Sequence, residues 1–144
     1  MGVVLLFGFV VIRGAPYVPS HRRFVRLTFD KLYKLSDKDV LVDVGSGDGI
    51  ILRLAAEKGA TAIGYELNPA LVLVSRLLSR GNPKITTQLG DFWFVDIPKE
   101  TTVVYAFIVT RDAAKLEQKM QQTADKNKRS IWLLVGFMHL ADER

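Results

Sequence analysis

An apolar strand that runs directly into three alternating glycines leaves a chain few folds to choose from. Val40-Leu41-Val42-Asp43-Val44 is followed by Gly45-Ser46-Gly47-Asp48-Gly49, and Gly64-Tyr65-Glu66-Leu67-Asn68-Pro69 later ends a second short strand on an acid. This layout predicts a nucleotide cradle at the C-terminal edge of a parallel sheet. A dinucleotide loop needs Gly-x-Gly-x-x-Gly, whereas Ile50 occupies the third glycine position here. Asp43 and Asp48 would also oppose a pyrophosphate with like charge in a partly desolvated site. The ligand expected is a nucleoside without phosphates, carrying positive charge.

S-adenosylmethionine has those properties: a sulfonium, an ammonium and an adenosine free of phosphate. At Gly45, Gly47 and Gly49 the backbone can turn sharply, and Ser46 lies within the same loop. Asp43 can accept from the methionine ammonium, and Asp48 can offset the ligand's positive charge. Glu66, at the end of the second strand, can accept from both ribose hydroxyls. Leu67 can pack on adenine and Asn68 adjoins it. Asp91 can accept from the exocyclic amine, with Phe92 or Trp93 beside the ring. The bland alternatives are a tight loop without ligand, a surface Glu66 and a turn at Gly90-Asp91. Asp43, Asp48, Glu66 and Asp91 gather at one edge of the expected sheet in a chain of net charge +5, which favours a cationic cofactor.

The chain has 144 residues, of which 49% are hydrophobic, and no cysteine. That predicts one globular domain without disulfides, thiolate nucleophile or cysteine-bound zinc. Neither His21 nor His139 has metal-ligand spacing with a partner, so no metal site is expected. Val3 to Ile12 is almost unbroken apolar sequence closed by Arg13. A bilayer span takes roughly 20 such residues. The segment reads as a buried strand, an interfacial anchor or part of a membrane helix. Arg13, Arg22, Arg23, Arg26, Lys31 and Lys34 follow it as a juxtamembrane cluster would.

Helix and strand signals alternate downstream. Ser20 can cap a helix whose Val25, Phe29 and Leu32 face inward. Ile50, Ile51, Leu54 and Ala55 mark the inner face of the next helix, which Gly59 ends. Asn68 caps a third helix with Pro69 at its first position and a stripe of Leu71, Val74, Leu77 and Leu78. Further strands are expected at 84–89, 102–109 and 131–137, with a polar helix at about 112–126 that buries Leu116 and Met120. The fold class is α/β, a Rossmann-like doubly wound parallel sheet.

The loop at Asp43–Gly49 resembles the first motif of the class I methyltransferases that use S-adenosylmethionine. Gly14-Ala15-Pro16-Tyr17-Val18-Pro19-Ser20, VDVGSGDG, GYELNP and GDFW together resemble one branch. It comprises the small protein-lysine methyltransferases that modify the ATP synthase c subunit and the adenine nucleotide translocase. The resemblance implies a membrane-proximal segment at 1–13, a catalytic domain at 14–144 and a protein substrate. The apolar segment and the basic cluster after it, for which a solvated helix face is the alternative, predict weak membrane association and a cytoplasmic location peripheral to the inner face of a membrane. Tyr17, Phe107 and Thr110 are the candidates for the methyl-transfer mouth. Two features depart from the branch: Ile108-Val109-Thr110-Arg111-Asp112 stands where a proline-containing substrate loop is usual, and the last strands of the class I core do not follow strand five. The latter predicts an open apolar edge at Ile131–Val135. An RNA methyltransferase, less favoured because no RNA-binding module is seen, and a catalytically silent cofactor-binding protein are the alternatives.

Overall fold

A computed structural model of the chain describes residues 22–138. Five strands alternate with helices. Helix α1 (Arg22–Leu27) continues as a π-helical turn (Thr28–Leu32), followed by β1 (Val40–Val44), α2 (Ile50–Glu57), β2 (Thr61–Glu66) and α3 (Pro69–Leu78). Then come β3 (Ile85–Leu89), a 3-10 turn (Phe92–Phe94), β4 (Val103–Val109), a second 3-10 turn (Thr110–Asp112), α4 (Ala113–Asn127) and β5 (Trp132–Met138). Every strand pair is parallel, in the order β3-β2-β1-β4-β5. The chain winds one way from β1 to β3 and the other way from β4 to β5. The crevice between the C-terminal ends of β1 and β4 is therefore the switch point where such sheets take ligands.

The central strands are apolar on both faces because both are covered. Leu41, Val103 and Tyr105 meet Val25, Phe29, Ile51, Leu54 and Ala55 of α1, its π-helical turn and α2. Val42, Val104, Ala106 and Ile108 meet Leu116 and Met120 of α4, together with Phe92 and Ile97. Full burial of a side chain such as Leu41 or Leu52 contributes about 1.5–3 kcal/mol.

Two expected inner faces are corrected. Leu32 is 75% exposed, because the chain leaves α-helical spacing at Thr28 and the π-helical turn rotates it away from Val25 and Phe29. In α3 the buried side chains are Leu71, Val72 and Ser75, whereas Val74, Leu77 and Leu78 face solvent. The helix covers β3 through a 2.7 Å hydrogen bond between the hydroxyls of Ser75 and Thr87, so a small polar residue takes the central buried position.

At the end of the sheet opposite the switch point, Asp39 is fully occupied. Its Oδ1 accepts from the hydroxyls of Tyr33 (2.7 Å) and Thr102 (2.8 Å), and its Oδ2 accepts from the Ser36 N–H (2.9 Å). Burial works to raise the Asp39 pKa, but these donors outweigh it and hold the carboxyl below its ordinary range. Among the described residues β5 borders β4 alone, and Trp132 at its start is 61% exposed. No described helix is long and apolar enough to cross a membrane. Val3 to Ile12, Arg13 and Tyr17 lie outside the described residues.

Candidate active site

The glycine loop is folded around Glu66. The N–H groups of Gly45 and Ser46 donate to the Tyr65 carbonyl at 2.9 and 3.0 Å, tying the loop to the end of β2. The Gly47 N–H then donates to Glu66 Oε2 (2.7 Å) and the Asn68 N–H to Glu66 Oε1 (3.0 Å). One buried carboxylate thus holds both the loop and the start of α3. Each of its oxygens keeps a second lone pair, so two further donors can be accepted there. Asn68 caps α3 as expected, its Oδ1 accepting from the Ala70 N–H at 3.0 Å.

Asp43 differs from Asp39 in the way that matters most. It sits on β1 between Gly64 and Tyr105, is 3% exposed, and its Oδ2 has no hydrogen-bond partner. Burial, then the charges of Glu66 and Asp48, push its carboxyl well above the ordinary range. Tyr105 beside it is raised to about 12, by burial first and the Asp43 charge second. The Ser46 hydroxyl is also buried without a partner. Buried polar atoms are almost always satisfied. Two orphans at a switch point, in a field of three acids, are a place for a ligand that brings donors and positive charge.

The remaining expected residues divide. Gly45 is exposed at φ 74°, and a Cβ there would touch nothing within 4 Å, so this glycine is open to a ligand. Gly49 serves packing instead: at φ 83° it caps α2, and a Cβ would collide with the Ser75 hydroxyl of α3. Asp48 is turned to local duties. Its Oδ1 accepts from the Ile50 N–H (3.1 Å), while Arg53 lies 3.9 Å from that oxygen and donates to the Asp48 carbonyl (2.7 Å). Arg53 had no periodic signal, and it weakens Asp48 as a source of negative field. Leu67 is half-buried.

Asp91 caps the first 3-10 turn through the Trp93 N–H (3.0 Å), which realises the turn role that Gly90-Asp91 also allows. It stays beside the site, because the Gly90 N–H donates to the Glu66 carbonyl (3.0 Å). Phe92 is 5% exposed, packed on Tyr65 with ring centroids 6.3 Å apart, and is part of a core cluster. The half-buried Trp93 is the ring left at the edge. Phe107 is 37% exposed near the end of β4, and Thr110 begins the second 3-10 turn.

Lys119 was not anticipated. Its Nζ donates from α4 to the carbonyls of Val95 (2.9 Å) and Trp93 (3.3 Å) and lies 5.1 Å from the Phe92 ring centre. Burial lowers its pKa. The amine fixes the segment that carries Asp91. Lys119→Met is expected to weaken cofactor affinity roughly tenfold, as loss of about 1.5 kcal/mol of charged hydrogen bonding would. Calorimetry checks this, with a melting curve to show that the variant is folded.

The pattern of the ANTKMT methyltransferase domain matches residues 43–133. The chain belongs to that methyltransferase family. A human lysine N-methyltransferase of the ATP synthase c subunit is 39% identical over 129 residues, which is 86% of this chain and 53% of that protein. A protein-lysine N-methyltransferase of Saccharolobus islandicus is 32% identical over 123 residues, covering 81% and 74%. Among solved structures, an RNA methyltransferase from Salinibacter ruber in complex with S-adenosyl-L-homocysteine matches with a TM-score of 0.64 and 28% identity, over 88% of this chain and 84% of that one. This methyltransferase domain spans about half the length of the curated ATP synthase relatives it matches. The sequence resemblance to class I enzymes and the doubly wound parallel fold are thereby established.

The site residues fit S-adenosylmethionine. The orphaned Asp43 oxygen suits an ammonium, the spare lone pairs of Glu66 suit two vicinal hydroxyls, and the acids around the loop oppose a phosphate. The folded domain without cofactor retains a proton on Asp43 that an unfolded chain loses near pH 4. Stability should therefore fall as pH rises from that value through the raised folded pKa. A bound cation favours the carboxylate, so cofactor binding should release a proton and tighten by up to about tenfold per pH unit over the same window. Calorimetry in two buffers of different ionisation enthalpy measures that proton, and Asp43→Asn should abolish both effects.

Proposed function

We propose that this chain transfers a methyl group from S-adenosylmethionine to the side-chain amine of a protein lysine. The unpartnered Asp43 oxygen beside Glu66, at the switch point of a methyltransferase-family fold, is the observation that carries the cofactor assignment. The names of the relatives carry the acceptor, and the ATP synthase c subunit is the first candidate. The cofactor supplies a methyl already activated on a sulfonium. The protein's task is then to hold that group, exclude water and present a neutral amine in line, which needs no acid–base pair. Asp43 and Glu66 hold the amino-acid and ribose ends, and Asp91 marks the adenine end. Tyr17, Phe107 and Thr110 are proposed to form the mouth through which the amine enters.

The apolar Val3–Ile12 segment and the basic residues after it support a site of action peripheral to a membrane, through weak and reversible binding. Flotation of the full chain and of a chain lacking Met1–Ile12 on anionic liposomes tests that part. The central test is transfer of labelled methyl from S-adenosylmethionine to the purified ATP synthase acceptor, followed by mass spectrometry. Methylated lysine is the expected product. Label confined to RNA would support the alternative that the Salinibacter relative and the net charge of +5 favour. Cofactor binding without transfer to either would support a silent binder.

A further inference from the structure

The outer side of α3 carries an apolar stripe that the described residues leave uncovered. Leu73, Val74, Leu77 and Leu78 are 59%, 38%, 58% and 56% exposed. Positions i, i+1, i+4 and i+5 form one continuous face that borders the buried face of Leu71, Val72 and Ser75. The charge along this stretch of the sequence has a single sign. From Leu67 to Gly90 there is no acidic residue, and Arg76, Arg80 and Lys84 are the charged ones. Arg76 donates to the Thr87 carbonyl (3.0 and 3.1 Å) and Lys84 to the Gly59 carbonyl (2.6 Å), so both charges are held at fixed places beside the stripe. Arg80 lies at its C-terminal end and is exposed.

We propose that this face of α3 docks the protein on an anionic lipid bilayer. The four apolar side chains enter the boundary between headgroups and acyl chains, and Arg80 and Lys84 meet the phosphates. A helix with leucines on one side, basic residues at its rim and no acid within its own stretch of sequence suits that interface. A second copy of the chain is a poorer occupant, since a stable dimer takes about 20–30 residues on each side. The stripe is also convex. A lipid surface yields around such a ridge, whereas a protein must already possess a matching groove. Helix α3 starts at Pro69, immediately after Leu67 and Asn68, and its ten residues span about 15 Å. Docking there keeps the edge of the cofactor site within one short helix of the bilayer. Lipid partitioning and cofactor affinity are separate readouts, so this inference and the reading of the reaction fail independently.

The chain has no cysteine, so a single one can be placed and labelled in it. An environment-sensitive fluorophore on Leu77→Cys should shift to the blue with phosphatidylcholine vesicles containing phosphatidylglycerol, and brominated acyl chains should quench it. The same fluorophore on Gln122→Cys, on the outer side of α4, should not respond. In unlabelled protein, Leu73→Ser with Val74→Ser should reduce vesicle partitioning by more than roughly tenfold. Affinity for S-adenosylhomocysteine should be unchanged, which shows that the fold is kept. Vesicle binding with residue 77 still in water would overturn the proposal. So would a spectral shift that follows protein concentration in the absence of lipid, or no binding to anionic vesicles at all.

Discussion

Glu66→Ala is expected to cost the protein its cofactor first and part of its stability second. Removal of this carboxylate leaves the Gly47 and Asn68 N–H groups, held at 2.7 and 3.0 Å, without an acceptor. Each orphaned buried donor costs about 1–3 kcal/mol. Loss of the ribose contacts adds on the order of 1.5–3 kcal/mol to the binding free energy, a fall in affinity of roughly ten- to a hundredfold. Glu66→Gln separates the two effects. Its amide oxygen still accepts from one N–H, while its NH2 faces the other as a second donor, so the loss of stability should be smaller. Titration of folded variants with S-adenosylhomocysteine, alongside chemical denaturation, reads both. Unchanged affinity in a folded Glu66→Ala protein would remove this residue from the cofactor site.

A loss of stability of similar size, with a different cause, is expected from Gly64→Ala. Gly64 lies in the middle of β2 with ordinary extended backbone, so the effect is packing and not conformational freedom. A Cβ there would stand 2.5 Å from the Ser46 hydroxyl oxygen, 2.6 Å from the Ser46 Cβ and 2.8 Å from a Leu52 methyl. Ser46 cannot retreat, because its N–H is bound to the Tyr65 carbonyl at 3.0 Å. Overpacking of this kind costs about 3 kcal/mol, which corresponds to a lowering of Tm by roughly 10 °C for a domain of this size. The displaced loop should also bind cofactor less well. Ser46→Gly removes the obstructing side chain, so the double variant should recover most of the stability, and the double-mutant cycle measures that coupling.

Those two residues illustrate how far the sequence could be read. Glu66 was legible because the end of a strand and its distance from the glycines place an acid at the ligand edge. Gly64 gave no comparable signal, since its constraint comes from Ser46, eighteen positions earlier and joined to it only by the parallel pairing of β1 and β2. The same limit explains α3. Pro69-Ala70-Leu71-Val72-Leu73-Val74-Ser75-Arg76-Leu77-Leu78 is apolar nearly all round, so periodicity cannot choose a face. The choice is made by the Ser75–Thr87 hydroxyl pair, which needs β3 in place. Phe92 and Trp93 are neighbours of similar character, and only the packing of Phe92 on Tyr65 decides which one is core. Arg53 and Lys119 act on backbone carbonyls through long side chains, leaving no pattern in the residues around them. The central strands β1 and β4 were legible because strands buried on both faces write themselves as continuous apolar runs, whereas β3, Ile-Thr-Thr-Gln-Leu with only Thr87 buried, carries a weaker signal.

Asp43 and Glu66 together build a site for a cationic nucleoside without phosphates. Calorimetric titration of the full chain with S-adenosylmethionine, repeated with NAD and across pH, tests it most directly. Micromolar binding of S-adenosylmethionine is expected, tightening as pH rises through the raised pKa of Asp43 with release of a proton, and no measurable heat from NAD. Tight NAD binding, or S-adenosylmethionine affinity that ignores both pH and Asp43→Asn, would contradict it.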